Sequence, residues 1–98
     1  MKKKILIFII TYKASFRLKN VYNEIPFKKL KNHKVDILIC DDASKDDTIT
    51  YAVKIKNKNK GKKIFIIENK KNLGYGGNIK KCLKYSINKN YNYAVMIH

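Results

Sequence analysis

Four short apolar runs punctuate the chain, and between them apolar residues return at helical spacing. Residues 5–10 form a continuous β-branched and aromatic run. That pattern fits a strand buried on both faces, as in a parallel sheet. Phe16, Leu18, Val21, Tyr22 and Ile25 follow at helical spacing, and Pro26 ends that helix near Glu24. Residues 35–40 give a second buried strand, and Ile49, Ala52 and Val53 the apolar stripe of a second helix. Residues 57–63 read as a polar connector and 64–67 as the third strand. Ile79, Cys82, Leu83, Ser86 and Ile87 repeat at i, i+3, i+4, i+7 and i+8, the clearest helical face in the chain. Residues 93–97 form a fourth buried-type strand, followed by His98.

The resulting order, β-α-β-α-β-α-β, predicts an α/β domain: a mostly parallel sheet of four strands with three helices and right-handed crossovers. With 98 residues there is room for one small domain and not for two. A closing strand with no helix after it leaves one face of the sheet partly uncovered, which reads as truncation. Ligands of open α/β sheets bind beyond the carboxyl ends of the strands. The loops that matter are therefore those at Thr11-Tyr12, Asp41-Asp42 and residues 69–77, together with His98.

Asp41-Asp42 is the sharpest chemical signal. Adjacent carboxylates repel and bring nothing to folding, and they stand too early to serve the next helix N-terminus, whereas Asp46 and Asp47 suit that role. Hydrogen bonding to a nucleoside, or a metal, is the functional reading. Ser44 with Asp47 three residues on forms a candidate capping box. Gly74-Tyr75-Gly76-Gly77 precedes a helix, where glycines let a backbone approach a phosphate. Position 79 is Ile79, so the third glycine of a dinucleotide fingerprint is missing, and the loop follows the third strand and not the first. Tyr12 could stack on a base or simply pack.

The net charge of +16 is nearly all lysine, with Arg17 the one arginine. The charge is spread over every connecting segment. Lysine, asparagine, isoleucine and tyrosine are abundant together, as a coding bias towards A and T produces. An anionic partner is the other reading: an acidic membrane surface met peripherally, a phosphate-rich substrate or nucleic acid. Specific nucleic-acid readout is disfavoured, because arginines with interleaved aromatics are absent. Cys40 and Cys82 belong to no CxxC pair and read as buried thiols of a reducing, cytoplasmic compartment. The basic start followed by residues 5–10 imitates a leader, but the apolar run is too short and no small-residue cleavage site follows.

Three segments together resemble the opening of the inverting family 2 glycosyltransferases, which have the Rossmann-like GT-A nucleotide-binding fold. The first strand with Thr11-Tyr12 is similar to the family's strand ending in a threonine- or serine-tyrosine pair. Residues 41–48, Asp-Asp-Ala-Ser-Lys-Asp-Asp-Thr, resemble the Asp-Asp-Gly-Ser-x-Asp-x-Thr loop, with Ala43 in place of glycine. Residues 72–78 resemble the asparagine-glycine loop that leads into a helix. Where the family often has Asn-Glu after the tyrosine, this chain has Lys13-Ala14. The subgroup looks similar to polyprenyl-phosphate sugar transferases of the dolichyl-phosphate mannosyltransferase type.

The resemblance implies that residues 1–98 are the N-terminal part of such a domain and that a UDP- or GDP-linked sugar is the donor. By it, Asp42 contacts the base, Tyr12 stacks on it, and Asp41 shapes the nucleoside pocket. Thr11, Asn72 and Gly74 complete the nucleotide-binding set. It also implies a divalent cation, Mg2+ or Mn2+, held by acids beyond His98, and a polyprenyl phosphate as a possible acceptor. The chain alone is then expected to bind donor and transfer nothing. Two other classes remain in view: a non-catalytic basic module binding nucleotide or nucleic acid, and a phosphoacceptor receiver domain. The receiver is disfavoured because its acid pair ends the first strand, while here the pair follows the second.

Overall fold

The computed structural model describes residues 2–98, and Met1 lies outside the described residues. The elements are β1 (Lys4–Thr11), α1 (Arg17–Asn23), β2 (Lys34–Asp41), α2 (Thr48–Lys58), β3 (Lys63–Glu68), α3 (Gly74–Asn88) and β4 (Tyr93–Met96), with a 3-10 turn at Phe27–Leu30 before β2. The strands form one sheet in the order β3-β2-β1-β4, and all three pairings are parallel. The α/β fold read from the apolar runs is therefore the fold observed, with three helices supplying the crossovers.

The continuous runs are explained by the sheet's centre. In β1 and β2, residues facing both ways are buried: Leu6, Ile37, Leu38, Ile39 and Cys40 are fully inaccessible. Ile5, Ile7, Ile9, Ile37 and Ile39 pack under α1 and α2 with Leu18, Tyr22, Ala52 and Ile55. Leu6, Phe8, Leu38 and Cys40 pack under α3 with Cys82. Each such aliphatic side chain stabilises the fold by about 1.5–3 kcal/mol relative to exposure. The fourth run, expected as a buried-type strand, differs from that expectation. β3 and β4 are edge strands, and Phe65, Tyr93 and Val95 are exposed. Tyr93 and Val95 pair with Ile5 and Ile7, so the uncovered part of the sheet is the β4 end of the α1/α2 face.

Two helices are rotated from the expected faces. α2 buries Thr48, Ala52 and Ile55, and Val53 is turned outward. α3 buries Asn78, Cys82 and Ser86, while Leu83 and Ile87 are exposed. Those three are small or polar side chains four residues apart. They let the helix sit close on β2 and bring Asn78 within reach of the Cys40 backbone, a bond that hydrophobic periodicity does not register. α3 also begins at Gly74, so Gly76 and Gly77 lie in its first turn and not in a loop.

Because the sheet is parallel, every strand is entered from the same edge. Lys3 and Lys4, Lys34, Lys62 and Lys63, and Lys89 therefore gather at that edge, opposite the Asp41-Asp42 rim. No helix among the described residues is long and apolar enough to cross a membrane.

Candidate functional site

β1 and β2 end in register, with Thr11 beside Asp41, and β3 brings Glu68 beside Asp41 on the other side. Two backbone bonds continue the ladder past the strands: Asp42 N–H donates to Thr11 C=O and Asn69 N–H to Asp41 C=O, both at 2.8 Å. Thr11, Asp41 and Asn69 thus share one rim, as the alternation of elements predicts.

The two aspartates take different tasks there. Asp41 is fully buried, and its carboxylate is filled from inside the protein. Thr11 Oγ1 donates to it at 2.8 Å, the Ser44 hydroxyl at 2.6 Å and the Ser44 N–H at 3.0 Å. Asp42 accepts from Leu73 N–H at 2.7 Å, from Gly74 N–H at 2.9 Å and from Asn69 Nδ2 at 3.0 Å. The expectation that this pair brings nothing to folding is corrected. The mutual repulsion is offset by six donors, and Asp42 closes the N-terminus of α3, whose N-cap residue Leu73 offers no side-chain acceptor. A carboxylate is the preferred occupant of that position, since the first N–H groups of a helix lack partners and carry its positive dipole end. Asp42 thereby takes the N–H groups of Leu73 and Gly74 at the start of α3.

The capping box also resolves differently. Ser44 turns its hydroxyl to Asp41, the buried acceptor, and Asp47 accepts from Ser15 Oγ at 2.7 Å. The start of α2 is met by Asp46, which accepts the Thr48 N–H at 2.9 Å. Hydrogen bonds from Thr48 hold the Asp46 carboxyl below its ordinary range.

The backbone of the 41–48 loop is left-handed at Ala43 (φ 62°) and Lys45 (φ 56°). A glycine meets that conformation without cost, whereas a Cβ crowds it by roughly 1–2 kcal/mol. Ala43→Gly is therefore expected to stabilise the protein by about 1 kcal/mol, less than the full relief because glycine loses more entropy on folding. Urea unfolding of the two proteins measures it. An unchanged or lower midpoint would show that the left-handed turn at 43 is not strained. In the 72–74 loop only Gly74 needs glycine's freedom, with φ 80°. Its N–H is shared between Asp42 and Asn72 Oδ1, and Asn72 Nδ2 reaches Asp42 C=O at 3.1 Å.

Beneath this rim lies a polar seam. Asn78, almost wholly buried, donates through Nδ2 to Cys40 C=O at 3.1 Å and accepts at Oδ1 from Cys40 Sγ and Asn69 Nδ2. Lys81 Nζ donates to Asn69 Oδ1 at 2.6 Å. Cys40 and Cys82 are both buried free thiols, and contact with Cys40 followed by burial pushes the Cys82 thiol up.

Above the seam is a cavity of about 410 Å³ lined by Ile10, Thr11, Tyr12, Asp42, Asn72, Gly74, Tyr75, Asn78 and His98. Five of the six residues singled out from sequence line it. Asp41 does not, because it is the buried support behind Asp42. Thr11 contributes its wall and not its hydroxyl, which Asp41 holds. Tyr12 is half exposed, with Lys13 Nζ 5.3 Å from its ring centre. Sequence reasoning missed Tyr75 and Asn78. Tyr75 was legible as the aromatic set between two glycines. Asn78 was hidden, because a polar residue at a helix start normally faces water.

The profile of glycosyl transferase family 2 matches residues 7–97. The chain belongs to glycosyl transferase family 2. A mannosyltransferase from Pyrobaculum calidifontis, solved in complex with GDP-Man and Mn2+, superposes with a TM-score of 0.70 at 13% identity. The likeness covers 87% of this chain and 25% of that one, so the chain spans about a quarter of that enzyme's length. At this identity the likeness speaks for the GT-A fold. No match is found among curated protein sequences. The family 2 chain described here carries no metal-binding cluster: among the described residues, no three His, Cys, Asp or Glu side chains are grouped to hold an ion. In both Asp41 and Asp42, Oδ1 accepts two internal donors and Oδ2 one. These residues therefore do not fit the divalent cation that the resemblance implies.

Proposed function

We propose that the cavity at the carboxyl ends of β1 and β2 takes the nucleoside half of a sugar-nucleotide donor, UDP- or GDP-linked, in a glycosyl transfer reaction. The observation that carries this reading is the convergence of Tyr12, Asp42, Asn72 and Gly74, from three separate loops, on one 410 Å³ cavity. The exposed ring of Tyr12 offers a face to a base. Asp42 Oδ2 accepts one N–H, from Gly74, and a carboxylate oxygen has room for a second. A base N–H is a suitable donor for that place. The acceptor we propose is a polyprenyl phosphate, on the likeness of the subgroup. The role assigned to residues 1–98 is donor binding.

Calorimetry with GDP and UDP on the wild type and Tyr12→Ala tests the assignment. Loss of a stacking face costs about 1–3 kcal/mol per base, so binding should weaken roughly 5- to 150-fold. Equal affinities for the two proteins would overturn the stacking role. Turnover of a labelled sugar nucleotide by this chain with Mn2+, dependent on Asp42, would overturn the restriction to binding.

A further inference from the structure

A second cavity lies at the opposite edge of the sheet, where the strands begin. It encloses about 360 Å³ between the 3-10 turn, the start of β2 and the turn into β3. Four lysines line it: Lys31, Lys34, Lys62 and Lys63. Lysines this far apart in sequence meet only because both connections enter the parallel sheet from the same side.

The charge in this cavity is not neutralised from within. Its one carboxylate, Asp36, is buried and accepts the Tyr91 hydroxyl at 2.6 Å. Burial, then contact with Asp36, pushes the Tyr91 phenol up, so Tyr91 remains the donor in that pair. Among the described residues, the lysine ammonium hydrogen bonds are those of Lys4 and Lys81, and neither is at this cavity. The contrast with Asp41 and Asp42 is direct: there, like charges are adjacent and every one is met by internal donors. Here the like charges are left to solvent.

Two further features shape what would fit. His33 Nδ1 accepts the Lys3 N–H at 3.0 Å, which places the imidazole proton on Nε2 and makes that nitrogen a donor. Phe27, Leu30 and Val35 give the same cavity an apolar wall, and Lys62 Nζ stands 4.3 Å from the centre of the Phe27 ring. Several lysines, an imidazole N–H donor and an apolar wall suit a multivalent oxyanion attached to an apolar body.

We propose that this cavity is a second ligand site, separate from the nucleotide cavity, for a phosphate-bearing anion whose apolar portion rests on Phe27, Leu30 and Val35. The phosphate can belong to a soluble metabolite or to a lipid headgroup, and the same oxygens would be read in either case.

The test is a backbone amide NMR titration of the full chain with pyrophosphate in one arm and monomeric dihexanoyl phosphatidic acid in the other. Saturable shifts confined to Lys31, His33, Gly61 and Lys62 support the site. The tighter arm assigns the source, with shifts reaching Leu30 and Val35 in the lipid case. Lys31→Gln combined with Lys62→Gln should weaken binding by about tenfold or more, as loss of charge-assisted contacts does. Lys70→Gln with Lys71→Gln, on the other rim, should leave it unchanged. Non-saturating shifts over both rims, or equal weakening in the two double variants, would overturn the proposal. GDP should shift Tyr75 to Asn78 in either event, so the two sites fail or stand separately.

Discussion

Asp42→Ala is expected to abolish measurable GDP and UDP binding and to lower the stability of the fold by about 2–4 kcal/mol. The carboxylate accepts from Leu73 N–H, Gly74 N–H and Asn69 Nδ2, and Asp42 is almost wholly buried. Removing it leaves the Leu73 N–H without its partner and takes the charged acceptor from the Gly74 N–H and the Asn69 amide, which keep only the neutral Asn72 Oδ1 and Asn78 Oδ1. Asp42→Asn keeps the shape but turns an NH2 group towards one of the N–H donors, so it should lose nearly as much. For a domain of this size, whose total stability is of order 5–10 kcal/mol, that is a large fraction. Urea unfolding gives the stability term. Calorimetry repeated in trimethylamine oxide, which restores the folded population, separates binding from folding. An alanine variant that is folded under those conditions and binds GDP as the wild type does would remove Asp42 from the nucleotide site.

Asp41→Ala should cost more in stability, about 3–5 kcal/mol, as expected when a fully buried charged acceptor with several donors is deleted. Its partners are Thr11 Oγ1, Ser44 N–H and Ser44 Oγ, and Ser44 Oγ also accepts the Lys13 N–H. One carboxylate therefore pins both the 12–15 segment and the left-handed turn at 43–45. Without it, those backbones lose the contacts that hold Ala43 and Lys45 at positive φ. Limited trypsin digestion should then cut after Lys45, and after Lys13, much faster than in the wild type. Cleavage rates equal to wild type, with α2 and α3 intact, would show that Thr48 and Asp46 suffice to hold the loop. Together the two variants separate the tasks of neighbouring acids: Asp41 holds the 12–15 and 43–45 backbones, and Asp42 joins β2 to the start of α3.

The sheet and the rim that carries the 410 Å³ cavity were legible because their causes are local. A strand buried on both faces must be apolar at consecutive positions, and residues 5–10 and 35–40 are. A helix between such strands forces a parallel crossover, and parallel crossovers put Thr11, Asp41 and Asn69 at one edge. The glycine-like turn at Ala43 and the left-handed Gly74 are likewise conditions on single residues, so motif spacing could carry them.

What the chain order alone determined, then, was the fold class and which loops meet. What only the tertiary structure decided was who bonds to whom across that meeting. Asp42 caps a helix that starts 32 residues later, and no spacing rule reaches that far. The buried face of α3 is chosen by Asn78 reaching the Cys40 carbonyl, so Leu83 and Ile87 are turned out against their hydrophobicity. The lysines look evenly spread along the sequence, yet strands that all begin at one edge collect many of them there, with Lys31 and Lys34 facing Lys62 and Lys63 around one cavity. The physical reason is common to the three cases. Hydrophobic burial is non-directional and is written in local periodicity, whereas hydrogen bonds and charge act between particular atoms whose proximity exists only after the sheet has formed.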